Sequence, residues 1–176
     1  MSDERPRLAW GHININVSDL DRSVAFYEKL GFEAFMSAIP YLGLDEGPVA
    51  KELSLPSARV LGLPASTKGR ACIMQLGRTF PKLDLTEWDE SSGANPLTNA
   101  DAGIVRICLA SQELVADHAR LSEAGVEFLT APEGCEDGLA EIALCRDPDG
   151  TLIELIEVHL ERWPSPPKGS GLNRAD

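Results

Sequence analysis

Between residues 10 and 35 the chain alternates apolar and polar positions, switches to helical spacing, and then alternates again. His12 to Val17 has the period of two that a strand with one buried face requires. Leu20, Val24, Tyr27 and Leu30 follow at helical spacing, with Ser18 and Asp21 as a capping-box start and Gly31 as the stop before a second strand, GFEAF. The same order returns between residues 102 and 129: Ile104 to Leu109 alternates, Ser111 is the N-cap candidate, Leu114, His118 and Leu121 form the stripe, and Gly125 stops the helix before GVEFL. The later strands match as well. RACIMQL and PKLDLTEW in the first half correspond to EIALCRD and GTLIELIE in the second, so that Leu83, Asp84 and Leu85 align with Ile153, Glu154 and Leu155.

Each half therefore predicts the order β-α-β-β-β, and the fold class is α+β, built from two fused modules. Residues 1–9 form an N-terminal arm, 10–90 the first module, 91–101 a linker, 102–160 the second module, and 161–176 a Pro/Gly/Ser-rich flexible tail. An insertion at about 40–69 interrupts the first module, with a short helix expected around Val49 to Leu53, a mobile stretch near Ser66 to Gly69, and a role as one wall of a cleft.

One position breaks the apolar pattern of the closing strand. After the DPDG turn, Leu152, Glu154, Ile156 and Val158 share a face, which sets a carboxylate among three apolar groups. An unpartnered buried carboxylate costs several kcal/mol, so a cation, a metal or a solvated cleft has to accompany it. His12, Asn14 and Asn16 make the first strand's inner face unusually polar. Arg106 shares the face of Ile104 about 7 Å further along its strand, where it pairs with Glu154 or Asp84, or clamps a substrate carboxylate.

Composition narrows the possibilities. The net charge of −12 and the lack of any Lys/Arg cluster with interleaved aromatics argue against nucleic acid. No apolar run approaches the roughly 20 residues needed to cross a bilayer. The four cysteines form no C-x-x-C pair, and the charged N-terminus is neither signal nor anchor, so a reduced cytoplasmic protein is expected.

The paired modules, DLDRSVAFYEKLGF after a His-bearing strand, and DPDGTLIELIE at the close resemble the vicinal oxygen chelate superfamily of glyoxalases, bleomycin resistance proteins and extradiol dioxygenases. The resemblance implies that each module curls into half of a partly closed mixed sheet around one cleft. It also implies that the first and last strands of each module point one side chain at a metal, positions that fall on His12, Asp84, Ile104 and Glu154. Ile104 has no lone pair, which leaves His12, Asp84 and Glu154 as ligands for a divalent ion (Zn, Mn, Ni, Co or Fe). Gln75 is the substitute ligand if the register differs.

On this resemblance the expected function is a glyoxalase-like, metal-dependent lyase or isomerase acting on a small oxygenated substrate through an enediolate. Glu154 or Asp84 would move the proton, with Arg106 as the third catalytic group. Arg106, Asn14, Asn16, Ile104 and Trp88 would contact substrate, and a homodimer is expected. Two other readings stay open: a metal-free antibiotic or natural-product binding protein, and a metal-free acid-base enzyme. His118, His159 and Glu157 are read as structural or exposed, and Trp10 and Trp163 as packing groups.

Overall fold

The computed structural model describes residues 7–91 and 96–164. Residues 1–6 of the expected arm, 92–95 of the linker and 165–176 of the tail lie outside that range. Both repeats are present. The first comprises β1 (His12–Val17), α1 (Leu20–Lys29), β2 (Glu33–Met36), the inserted β3 (Ala38–Ile39), β4 (Leu44–Asp45), β5 (Lys51–Glu52) and α2 (Leu55–Leu61), then β6 (Lys68–Gln75) and β7 (Lys82–Trp88). The second comprises β8 (Arg106–Ala110), α3 (Leu114–Glu123), β9 (Phe128–Gly134), β10 (Ala140–Arg146) and β11 (Leu152–Val158).

The two sheets share one topology. Their orders are β1-β7-β6-β2, with β5 also on β6, and β8-β11-β10-β9. In each, the first and last strands of the repeat pair in parallel while the other main pairs are antiparallel. Two compact units result, but they do not follow the repeats throughout. Among the described residues, one holds 7–20 together with Phe32–Ser91, and the other holds Asp21–Gly31 together with 96–164. The body of α1 thus belongs with the second repeat.

Contacts inside the second unit explain that placement. The buried Tyr27 hydroxyl donates to Asp147 Oδ2 at 3.0 Å, and Arg22 reaches Asp149 at 3.2 Å. Asp147 is itself fixed by the DPDG turn, its Oδ1 accepting from Asp149 N at 3.0 Å and Thr151 N at 2.7 Å. Gly150 takes a φ of +94° there, and a Cβ on it would meet Pro96 at 2.6 Å. Only glycine fits that turn.

In the first unit one sheet face is apolar, with Ile15, Val17, Cys72, Met74, Leu83 and Leu85 all buried. Each fully buried aliphatic side chain of this kind contributes about 1.5–3 kcal/mol. The opposite face carries His12, Asn14 and Asn16 from β1 and Lys82, Asp84 and Thr86 from β7. The insertion covers part of that face. Ile39, Leu42, Leu44, Leu53 and Ala58 form a cluster with Ala71 and Ile73 of β6, flanked by Leu63 and Trp88.

The insertion's own structure differs from expectation. Val49 to Leu53 holds the short strand β5, and the helix comes later as α2, where Ser54 accepts from Ser57 N at 3.2 Å, Pro56 sits in the first turn, and Gly62 closes the helix at φ 66°. The start signal at Ser54 outweighs the apolar Val49. The stretch expected to be mobile leads into β6, where Gly69 is pressed so closely onto β7 that a Cβ would lie 2.6 Å from the Glu87 carbonyl oxygen.

Candidate functional site

Asp84 is the centre of the polar face in the first unit. It is 1% exposed and lies opposite Asn14 in the β1/β7 pairing. Oδ2 accepts from the Tyr41 hydroxyl at 3.1 Å and lies 3.6 Å from His12 Nδ1, while Oδ1 is buried with no hydrogen-bond partner among the described residues. Burial raises the Asp84 pKa, against the opposing influence of His12 and the Tyr41 hydrogen bond. Desolvation, and then the same contact, pushes Tyr41 up to about 12. A buried carboxylate oxygen with nothing to accept is costly unless an incoming donor or cation meets it.

The neighbouring polar groups form a ladder across the two strands. Thr86 donates to Asn14 Oδ1 at 3.1 Å, Asn14 to Asn16 Oδ1 at 3.0 Å, and Trp88 Nε1 to the same Asn16 oxygen at 3.1 Å. Trp88 is thereby tied to Asn16 on one side and to the insertion's apolar cluster on the other. The His12 side chain is 47% exposed, so an imidazole open to solvent stands over a carboxylate that is not.

Lys82 sits next to His12 in the strand register and is 3% exposed. Its ammonium lies 4.8 Å from the Phe35 ring centroid and 5.1 Å from that of Phe80, and donates to Gln75 Oε1 at 2.7 Å. Two aromatic faces and an amide oxygen hold the charge. Gln75 is further occupied by Glu33, to which it donates at 2.7 Å, and so does not replace Asp84.

The second unit carries a related but different group. Glu154 is 9% exposed, and both of its oxygens are engaged: Oε2 accepts from Arg106 Nε, and Oε1 lies 3.2 Å from the Cys108 thiol. Arg106 Nη1 donates to Asn99 Oδ1 at 2.9 Å. Cys108 counts as exposed, yet its sulfur faces the carboxylate; desolvation, then Glu154, pushes the thiol up to about 12. Ile104, expected to open this strand, precedes it and is 82% exposed.

Strand register identifies the true counterpart of His12. Asn14 faces Asp84, and Cys108 faces Glu154. The first residue of each strand, two positions earlier, is His12 in one repeat and Arg106 in the other. A second carboxylate completes the repeat. Glu87 accepts from the backbone N–H of Leu20 at 2.7 Å, and Glu157 from that of Leu114 at 2.8 Å, so each strand with a site carboxylate also caps the helix of its own repeat three residues later.

The remaining histidines are elsewhere: His118 packs its ring 4.2 Å from Phe128, and His159 lies near Glu141 and Glu161 at 3.8 and 3.7 Å. Tyr41, Lys82, Glu87, Asn99 and Cys108 were not singled out by the sequence pattern as site groups. Only Glu87 left a signal, through the match of LDLTE to IELIE.

The donor chemistry tests the metal implied by the family resemblance. In the first unit, His12 and the unpartnered Asp84 Oδ1 fit a divalent cation as two of its ligands. Glu154 does not fit as the third, because a guanidinium already neutralises it. Among the described residues no group of three His, Cys, Asp or Glu side chains is gathered in a metal-holding arrangement.

Two repeats of one βαβββ topology, each ending on a strand that carries a buried carboxylate, define a two-module chelate-type scaffold. The family model described as the Glyoxalase/Bleomycin resistance protein/Dioxygenase superfamily matches residues 9–155, and the chain belongs to that superfamily. A lactoylglutathione lyase of Pseudomonas aeruginosa is 26% identical over 161 residues, covering 86% of this chain and 83% of the relative. Among solved structures, a glyoxalase family protein from Bacillus cereus aligns with a TM-score of 0.70 at 20% identity, covering 90% of this chain and 99% of that one. A glyoxalase I variant from Zea mays aligns with a TM-score of 0.55 at 20% identity, over 82% of this chain and 43% of its own. No helix among the described residues is long and apolar enough to cross a membrane.

Proposed function

We propose that this chain is a glyoxalase-type lyase or isomerase that moves a proton at a carbon next to a carbonyl in a small oxygenated substrate, with Asp84 as the group that takes and returns it. The observation that carries the reading is the state of Asp84: buried, raised in pKa, with Oδ2 held by Tyr41 and approached by His12, and Oδ1 left without a hydrogen-bond partner among the described residues. A general base works best when its pKa lies near the operating pH, and burial moves a carboxylate in that direction.

Each neighbour has a part. Tyr41 donates to Oδ2 and fixes the carboxylate's rotation, so that Oδ1 is the oxygen that accepts the substrate proton. The solvent-open His12 relays that proton to and from water. Negative charge developing on the substrate oxygen requires a donor or cation, and the buried Lys82 ammonium of the same sheet face supplies positive potential there. The set of His12, Asp84 and Glu154 does not fit a metal as it stands, because Arg106 already neutralises Glu154.

The reading is tested by incubating the protein in D2O with a panel of 2-oxo and 2-hydroxy acids and aldehydes, and following loss of the proton at the adjacent carbon by NMR. Catalysed exchange in wild type, reduced at least about 100-fold in Asp84→Asn, is the expected result, the range lost when an acid-base group is removed. Ligand binding without exchange anywhere in the panel would make the chain a binding protein instead.

A further inference from the structure

The two repeats solve the problem of a buried carboxylate in different ways, and the side chain that opens the first strand is central to the difference. In the first, the residue that opens the strand is His12, which leaves one Asp84 oxygen unpartnered. In the second it is Arg106, whose guanidinium bonds Glu154 directly. We infer that Arg106 is a built-in cation standing where the first repeat has an imidazole, and that the Glu154–Arg106 group of the second unit takes an anionic ligand oxygen, above all a carboxylate, in place of a divalent metal ion.

Charge supports this first. Glu154 and Arg106 together are neutral, and a guanidinium does not lose its proton at any pH a protein survives. A dication approaching Glu154 would have to expel Arg106 or tolerate it as a close like charge. Ligand count agrees, since both Glu154 oxygens are occupied, one by the Arg106 guanidinium and one by the Cys108 thiol.

Geometry then points to the ligand. Arg106 is anchored at Nε by Glu154 and at Nη1 by Asn99, while Nη2 has no hydrogen-bond partner among the described residues, and the side chain is 40% exposed. Two fixed nitrogens orient the plane of the group. Nη2 therefore retains N–H donors for a carboxylate oxygen, the charge-assisted bond that a guanidinium makes with such a group. Arg106 on this account is a specificity-determining residue for acids over their uncharged esters.

The inference deepens the reading above and rests on it only for the idea that the ligand is a substrate; neither of its tests uses turnover, so the two fail separately. Purified without chelators or a metal-binding tag, and dialysed against Zn²⁺ and then Ni²⁺, wild type and Glu154→Gln should carry the same metal content. Arg106→His should gain at least about half an equivalent and lose it again when combined with Glu154→Gln. Near-stoichiometric metal in wild type that Glu154→Gln abolishes would overturn the inference, as would a folded Arg106→His variant that stays empty. In a second measurement pyruvate should shift the Arg106 Nε–H resonance of wild type, with at least tenfold weaker apparent binding of methyl pyruvate, and Arg106→Gln should bind both equally weakly. Equal binding of acid and ester by wild type would remove the carboxylate assignment, and the glutamine variant keeps that test available if the histidine variant fails to fold.

Discussion

The Tyr41 hydroxyl donates to Asp84 across 3.1 Å and so joins the inserted segment to the last strand of the first sheet. This bond stabilises the ionised carboxylate, opposing the burial that raises its pKa. In Tyr41→Phe the Asp84 pKa should therefore rise further. The acid limb of the proton-exchange rate should move to higher pH in that variant, and an unchanged limb would show that Asp84 is not the group being titrated.

Asp84 should also make the protein less stable as pH rises. Its folded pKa lies above the ordinary carboxylate value of 3.8, so between the two values the folded chain holds a proton that the unfolded chain has released. Stability falls with pH through that window. Asp84→Asn removes the buried charge and should melt above wild type at pH 7. The gain should shrink toward pH 4; a variant that melts below wild type at pH 7 would contradict the burial account.

The two capping carboxylates give a paired comparison. Glu157→Ala removes the acceptor for Leu114 N and should cost about 0.5–2 kcal/mol by urea denaturation, the range for lost N-caps. Glu87→Ala should cost more, because Glu87 also meets Arg70 at 3.2 Å and that guanidinium is only 12% exposed. Equal costs would show that the Arg70 contact contributes nothing.

Much of this arrangement was legible in the sequence, for identifiable reasons. The duplicated strand-helix-strand pattern and the DPDG turn were visible because alternation, helical spacing and turn residues are local signals. Asp84 and Glu154 stood out as carboxylates in apolar strands. The counterpart of His12 did not. Sliding AGIVRICLAS by two residues along WGHININVSD preserves the face of every side chain, so alternation cannot separate Ile104 from Arg106 as the matching position. Tyr41 and Lys82 were hidden for another reason: their roles come from packing of a non-periodic insertion and of two aromatic rings, Phe35 and Phe80, that no spacing rule connects.

Gly69 marks where the insertion meets the sheet. A Cβ there would lie 2.6 Å from Glu87 O and 2.7 Å from the Trp88 ring. Gly69→Ala should be destabilising by about 1–3 kcal/mol, the usual cost of overpacking, and should quench or shift Trp88 fluorescence relative to wild type. A variant as stable as wild type would mean that β6 and β7 separate easily.

Cys108 provides a chemical probe of the Glu154 group. With its thiol pushed up to about 12, it should alkylate slowly with iodoacetamide at pH 8 despite its exposure. Glu154→Gln removes a neighbouring negative charge and should accelerate the reaction severalfold, as read by peptide mass mapping. A rate that does not change would place the carboxylate away from the sulfur.

The central claim is that Asp84 is a buried carboxylate tuned upward to exchange protons, and its own titration tests this most directly. Carboxyl ¹³C chemical shifts followed from pH 3 to pH 9, with Asp84→Asn used to assign the resonance, should place its midpoint clearly above 3.8, and higher again in Tyr41→Phe. A midpoint at or below that value would contradict the claim and leave Asp84 as a structural acceptor for Tyr41.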